Sequence, residues 1–167
     1  MACLPILTWP DERLTQTCPL VTEITDNIRQ LASDMLETMY AAPGRGLAAP
    51  QVGVIKRVFV MDTDWKDGPR NPITMINPVI EWASDETTIG PEGCLSIPGI
   101  QIEVKRPAEV RMRWIDETGE KHRETLTGFA AICAQHELDH LDGLITLDHV
   151  GPAERAALEA RYAEARA

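Results

Sequence analysis

The sequence predicts an α+β fold. Segments with strand character cluster in the middle of the chain, one amphipathic helix pattern precedes them, and two helix patterns follow. Strands and helices do not alternate one by one, as βαβ units would require. At 167 residues the chain is sized for a single domain over 1–167 with a full core.

The elements follow in order. Thr25-Asp26 reads as a helix start before the spacing Ile28, Leu31, Met35, Met39. This helix is expected to run to about Tyr40 and to stop before Pro43-Gly44. The glycine-flanked, small-residue run GRGLAAPQVGV is expected to be a loop. KRVFVMD (56–62) and ITMINPVI (73–80) read as strands on either side of the polar loop DTDWKDGPRN. PEGCLSIPG (91–99), broken by proline and glycine, is expected to be a turn or loop. IEVKR, AEVRMRWID and KHRETLT alternate as strands, and Glu117-Thr118-Gly119 joins the last two into a hairpin. A helix is expected from Gly128 to Leu141, and a final one from Pro152 toward Ala165, with proline in its first turn.

Bulk properties exclude several classes. No apolar run approaches the roughly 20 residues of a membrane helix. The start MACLPILTWPDERL lacks the basic and apolar regions of a secretory signal. A net charge of -10 argues against sequence-independent phosphate binding, and so against a nucleic-acid partner. Cys3, Cys18, Cys94 and Cys133 are irregularly spaced, which favours reduced thiols in a cytoplasmic setting.

The most informative stretch is QHELDHLDG. His136 and His140 are four apart, so on a helix they project from one face and can share a metal ion. Glu137, beside the first histidine, can move protons on a water at that metal. The competing reading is a polar, solvated helix face. A catalytic site usually takes three protein ligands. Candidates for the third are Asp142, Asp148 and His149 downstream, or Cys94 in the glycine-containing run EGCLS. Cys94 taken alone reads equally well as a small buried residue; beside the other segments the ligand reading is the stronger.

Three blocks, G44-R-G-L-A-A-P-Q51, E92-G-C-L-S96 and Q135-H-E-L-D-H140, together resemble the peptide deformylases, and the resemblance covers nearly the whole chain. It implies small antiparallel sheets packed around a central helix that carries the histidine motif. It implies Cys94, His136 and His140 as metal ligands and Glu137 as proton carrier. Gln51 and the backbone N–H of Leu95 would stabilise the oxyanion, where one lost donor typically costs about 3 kcal/mol. Gly44 and Gly46 read equally as points of close approach by the substrate backbone and as plain turn glycines. Arg45 would lie along the bound peptide, and Phe129, Ile132 and Cys133 would line the pocket for a methionine side chain, with ordinary core packing as the alternative. The metal would be Fe2+, with Zn2+, Ni2+ or Co2+ as substitutes. The substrates would be N-formylmethionyl nascent peptides met at the ribosome exit.

Arg45, Gly90 and Gln101 depart from the family's usual residues, which are a β-branched apolar residue, an apolar residue and, in many bacterial members, Arg. These departures leave the metal chemistry intact. They read either as changes of substrate preference and efficiency, as in an additional deformylase-like copy, or, as the favoured reading, as family variation at solvent-facing positions. The alternatives are a deformylase-like amidase or peptidase of altered preference and a metal-bound module that only binds peptide N-termini. Glu137 and Gln51 argue against the second, because binding alone needs neither. Asp139 is expected to pair with Arg106 and is given no catalytic role.

Overall fold

The computed structural model describes residues 2–166. Three helices, α1 (Asp26–Ala41), α2 (Gly128–Leu141) and α3 (Pro152–Arg166), accompany seven strands among these residues. The strands are β1 (Gly46–Ala48), β2 (Val58–Met61), β3 (Ile73–Ala83), β4 (Thr87–Cys94), β5 (Ile97–Pro107), β6 (Val110–Ile115) and β7 (Lys121–Leu126). One antiparallel sheet has the order β1-β2-β3-β6-β7, and β4-β5 form a separate antiparallel hairpin.

Helix α1 begins where the Thr25 hydroxyl accepts the Ile28 N–H at 3.3 Å. Its buried residues Ile28, Ala32, Met35 and Met39 recur every three or four positions, and Ile28, Met35 and Met39 pack on Leu47, Val58, Val60 and Ile76 of the large sheet. Burying a methionine this fully stabilises the fold by about 1.5–3 kcal/mol. The Gly44 N–H closes the helix end on the Met39 carbonyl, just after Pro43.

Strand β6 buries Val110, Met112 and Trp114 and exposes Arg111 and Arg113, the period-2 pattern of a strand with one wet face. The buried set packs against Ala131, Ala134, Leu138 and Leu141 of α2. Residues 133–138 of α2 are all buried, so this helix lies inside the molecule rather than on it. After α2 the chain turns at Gly143, whose φ of +77° and whose approach to the Thr15 carbonyl leave no space for a side chain.

A third core fills the space between β5 and α3. Ile100, Ile102 and Val104 alternate inward on β5 and meet Leu158 and Tyr162 of α3. Arg106 continues the same inward register but carries charge. Its fork donates to both oxygens of Glu92 on β4, at 2.6 and 2.8 Å, and its remaining arm donates to Asp139 of α2 at 3.0 Å. The pairing expected between Asp139 and Arg106 is thus present, and it ties the hairpin to the central helix.

Two expectations are corrected. The run 91–99 is not a loop: it supplies the end of β4, a two-residue turn at Leu95-Ser96 and the start of β5. Within GRGLAAPQVGV, Gly46–Ala48 pair with Met61, Val60 and Phe59 of β2, and Ala49–Val52 form a 3-10 turn.

Candidate metal centre and active site

His136 and His140 stand one turn apart on α2 with ring centroids 5.1 Å apart. Cys94, the last residue of β4, is carried to them by the tight hairpin turn, and its Sγ lies 3.4 Å from His140 Nε2. One ligand atom from each of Cys94, His136 and His140 falls within 4.8 Å of the others. Bonds of about 2.0–2.3 Å to one tetrahedral cation would hold such a sulfur and two nitrogens roughly this far apart, so the residues fit a single metal ion.

The surroundings support the same reading. His136 Nδ1 is 2.9 Å from Glu92 Oε1, and the Glu92 carboxyl is held down to about 2: burial opposes this, but the bonds from Arg106 and His136 prevail. A carboxylate at Nδ1 places the ring proton there and leaves Nε2 bare as a ligand. Burial alone would raise the Cys94 thiol, but the His140 and His136 rings outweigh it and hold the thiol well below its ordinary range. The group is therefore poised as a thiolate, the form that binds metal.

Glu137 is buried, and its Oε1 has no hydrogen-bond partner among the described residues. Burial raises its carboxyl above the usual range, partly offset by His136 and His140. Its other oxygen lies against Gly46, where an added Cβ would sit 2.5 Å from Glu137 Oε2 and 2.9 Å from Cys133 Sγ. Gly46→Ala is accordingly expected to displace Glu137 and lower kcat about 10²-fold. Metal content measured beside kcat checks this, and near-wild-type turnover in Gly46→Ala would remove the close approach as a functional constraint.

Gln51 sits on the 3-10 turn that follows β1. Its Oε1 accepts the Ala48 N–H at 2.9 Å, which fixes which end of the amide faces the site. Its Nε2 then donates to Ser96 Oγ at 3.0 Å and lies 3.6 Å from Cys94 Sγ. Leu95 occupies the hairpin turn, with its side chain packed close to Gly44.

These groups open onto a groove of about 870 Å³. It is lined by Gly44, Arg45 and Gly46, by Cys94, Leu95 and Ile97, and by Phe129, Ile132, Cys133, His136 and Glu137. Arg45, Gly46, Gln51, Cys94, Leu95, Phe129, Ile132, Cys133, His136 and Glu137 thus line one groove, with His140 beside Cys94. The other third-ligand candidates lie elsewhere, Asp142 on Arg57, Asp148 on Arg155 and His149 on Asp139. Cys133 Sγ is 3.6 Å from the Arg45 carbonyl, and the thiol is pushed well up by burial and by Glu137, so it stays protonated. Phe129 is half-exposed beneath the Arg45 guanidinium, at the outer end of the groove.

The sequence reading overlooked Glu92, Ser96, Lys66 and Arg161. Glu92 lies two residues before Cys94 on a strand, so it shares that residue's face, and this spacing was the available signal. Asp116, Glu120 and His122 also bring three donor atoms within 4.8 Å of one another. There the Asp116 carboxylate already accepts from Thr118 N, Thr118 Oγ1 and Glu120 N and contacts His122 Nε2, which makes it the brace of the β6-β7 turn.

A thiolate and two imidazoles beside a buried glutamate, set by a central helix in an α+β frame, define a metal-dependent hydrolase. A model of the polypeptide deformylase family matches residues 3–156. The chain is 45% identical over 161 residues to the peptide deformylase of Cellvibrio japonicus, covering 96% of this chain and 94% of that one. It is 47% identical over 155 residues to that of Phenylobacterium zucineum, with 93% and 92% covered. The crystal structure of the Ehrlichia chaffeensis peptide deformylase in complex with actinonin superposes with a TM-score of 0.92 at 37% identity, covering 100% of both chains. The chain belongs to the peptide deformylase family. It is a metal-dependent hydrolase that removes the formyl group from N-terminal formylmethionine and releases formate. No helix among the described residues is long and apolar enough to cross a membrane.

Proposed function

We propose that Cys94, His136 and His140 hold the catalytic metal of this deformylase and that Glu137, Gln51 and the Leu95 N–H carry out the chemistry around it. The observation that carries this reading is the meeting of three ligand atoms within 4.8 Å, two of their residues lining a groove that Glu137 and Gln51 also line. A divalent ion bound there supplies Lewis acidity, polarising the formyl oxygen and acidifying a water near neutral pH. The substrate backbone adds as a strand to the groove side of β1, the edge of the large sheet. Its methionine side chain rests among Phe129, Ile132 and Cys133, and Gly46 lets the chain come close to Glu137.

Glu137 Oε1, which lacks a protein partner, accepts a proton from the attacking water and later delivers it to the departing amine. The Gln51 amide has two N–H donors. One is given to Ser96 and the other, at 3.6 Å, to Cys94 Sγ. This second, longer contact is exchanged for the oxyanion when substrate binds, together with the Leu95 N–H. The products are formate and a free N-terminal amine.

One sulfur and two nitrogen donors suit both ferrous iron and zinc. Ferrous iron is our assignment, by family resemblance, with Zn2+, Ni2+ and Co2+ as substitutes. We take residues 1–167 as one catalytic domain, acting in the cytoplasm on chains leaving the ribosome.

The test is formate release from a formyl-Met peptide by protein purified anaerobically with ferrous iron. Turnover that a chelator abolishes and iron restores is the expected result, with inhibition by actinonin, the ligand of the Ehrlichia chaffeensis relative. Metal-loaded protein that releases no formate overturns the reading. The ligand set has its own check. In cobalt-loaded protein a thiolate charge-transfer band is expected, and it should vanish in Cys94→Ser. A band that persists would move the thiolate to Cys133, against that residue's raised pKa and its contact with Arg45.

A further inference from the structure

The accessible charge of the groove has one sign. Three cations line it, Arg45, Lys66 and Arg161, together with two carboxylates, Glu92 and Glu137. Both carboxylates are buried, and Glu92 is neutralised by Arg106. None of the three cations forms an ion pair among the described residues. This is a positive patch on a protein whose net charge is -10. A cleft lined by one sign of charge concentrates ligands of the other.

The three cations come from three different segments. The Arg45 guanidinium carbon lies 5.3 Å from the centroid of the Phe129 ring, and its Nε is buried without a hydrogen-bond partner among the described residues. A guanidinium stacked in this way still presents its terminal N–H groups as a fork for a carboxylate. Lys66 follows Trp65, whose indole N–H donates to the Gly44 carbonyl at 2.9 Å and ties that segment to the start of β1. Arg161 belongs to α3, which packs on β5.

Position along the groove follows from β1. Gly46 lies against Glu137, so the formylated residue sits beside Gly46. A paired strand advances about 3.3 Å per residue, so the next two residues of the substrate pass within reach of the Arg45 side chain.

We propose that this enzyme selects substrates by charge just beyond the methionine. A carboxylate side chain on one of the two residues after it is held by Arg45, with Lys66 and Arg161 adding longer-range attraction. Acidic N-termini are thereby deformylated faster than basic ones. The inference rests on the groove being the deformylation groove of the preceding section.

The test compares kcat/KM for C-terminally amidated formyl-Met-Ala-Asp-Ser, formyl-Met-Ala-Asn-Ser and formyl-Met-Ala-Lys-Ser. Amidation removes the terminal carboxylate that would otherwise compete for Arg45. The expected order is Asp, Asn, Lys, with an Asp-to-Lys ratio of about ten at low salt, expressed in KM rather than kcat. The ratio should fall toward one as ionic strength nears about 0.5 M. Arg45→Gln should lower it about three-fold, whereas Arg45→Lys should keep most of it. A Lys66→Gln/Arg161→Gln double variant should also lower it, which provides the test if Arg45→Gln folds poorly. A ratio equal in wild type and in both neutralised variants, or a preference for Lys, overturns the proposal while leaving the deformylase reading intact. Absence of formate from the Asn peptide overturns both.

Discussion

Glu137→Gln is expected to keep its metal and to lose about 10³-fold in kcat, within the range that positioned proton transfer contributes. The substitution is nearly isosteric, which matters because Gly46 leaves no slack around this side chain. The three ligand atoms belong to other residues, so metal content should remain near one ion per chain. An amide cannot take up the proton of the attacking water, and its N–H groups would face a position that calls for an acceptor. Metal analysis and kcat on the same preparation decide the matter. If metal is lost together with turnover, Glu137 is a ligand or a structural support and not the proton carrier.

Arg106→Leu is expected to destabilise the fold by about 3–5 kcal/mol, the cost of removing one partner from a buried ion pair. The net worth of the intact cluster is much smaller, because desolvating the charges offsets their attraction. The loss arises from the partners left behind: Glu92, 8% exposed, would keep only His136, and Asp139 would keep only His149. Urea titration at neutral pH measures the change, and a loss under about 1 kcal/mol would show that water or rearrangement satisfies these carboxylates. Since Glu92 orients His136, metal affinity should weaken about 10- to 100-fold as well.

The helices were the most legible part of the fold. α2 begins and ends at the residues expected, Gly128 and Leu141, and α1 overruns its expected end by one residue. Their apolar spacing persists over several turns, long enough for a period to show. The hairpin β4-β5 was hidden by Pro91, Gly93, Pro98 and Gly99, which are ordinary turn signals. In a two-stranded sheet both strands are edges, and an edge tolerates a proline whose missing N–H would have faced outward. β1 was hidden for another reason: Gly-Leu-Ala is too short to display alternation and contains no β-branched residue. At the site, His136, Glu137 and His140 were legible as a candidate metal motif from residue type and spacing, whereas Cys94 was one of four candidates for a third ligand until the family resemblance singled it out. The partners that orient them, Ser96 for Gln51 and Arg106 for Glu92, depend on contacts across 45 and 14 positions, which no local pattern encodes.

The brevity of β1 also limits how firmly anything can stay on it. An exposed sheet edge invites any extended chain to pair, and long apolar edges lead to aggregation. Three residues, one of them glycine, allow only a short ladder before the chain leaves β1 for the 3-10 turn at Ala49–Val52. In the proposed binding mode a substrate therefore gains alignment over a few atoms without enough hydrogen bonds to remain, so the edge that would order the peptide would also release it.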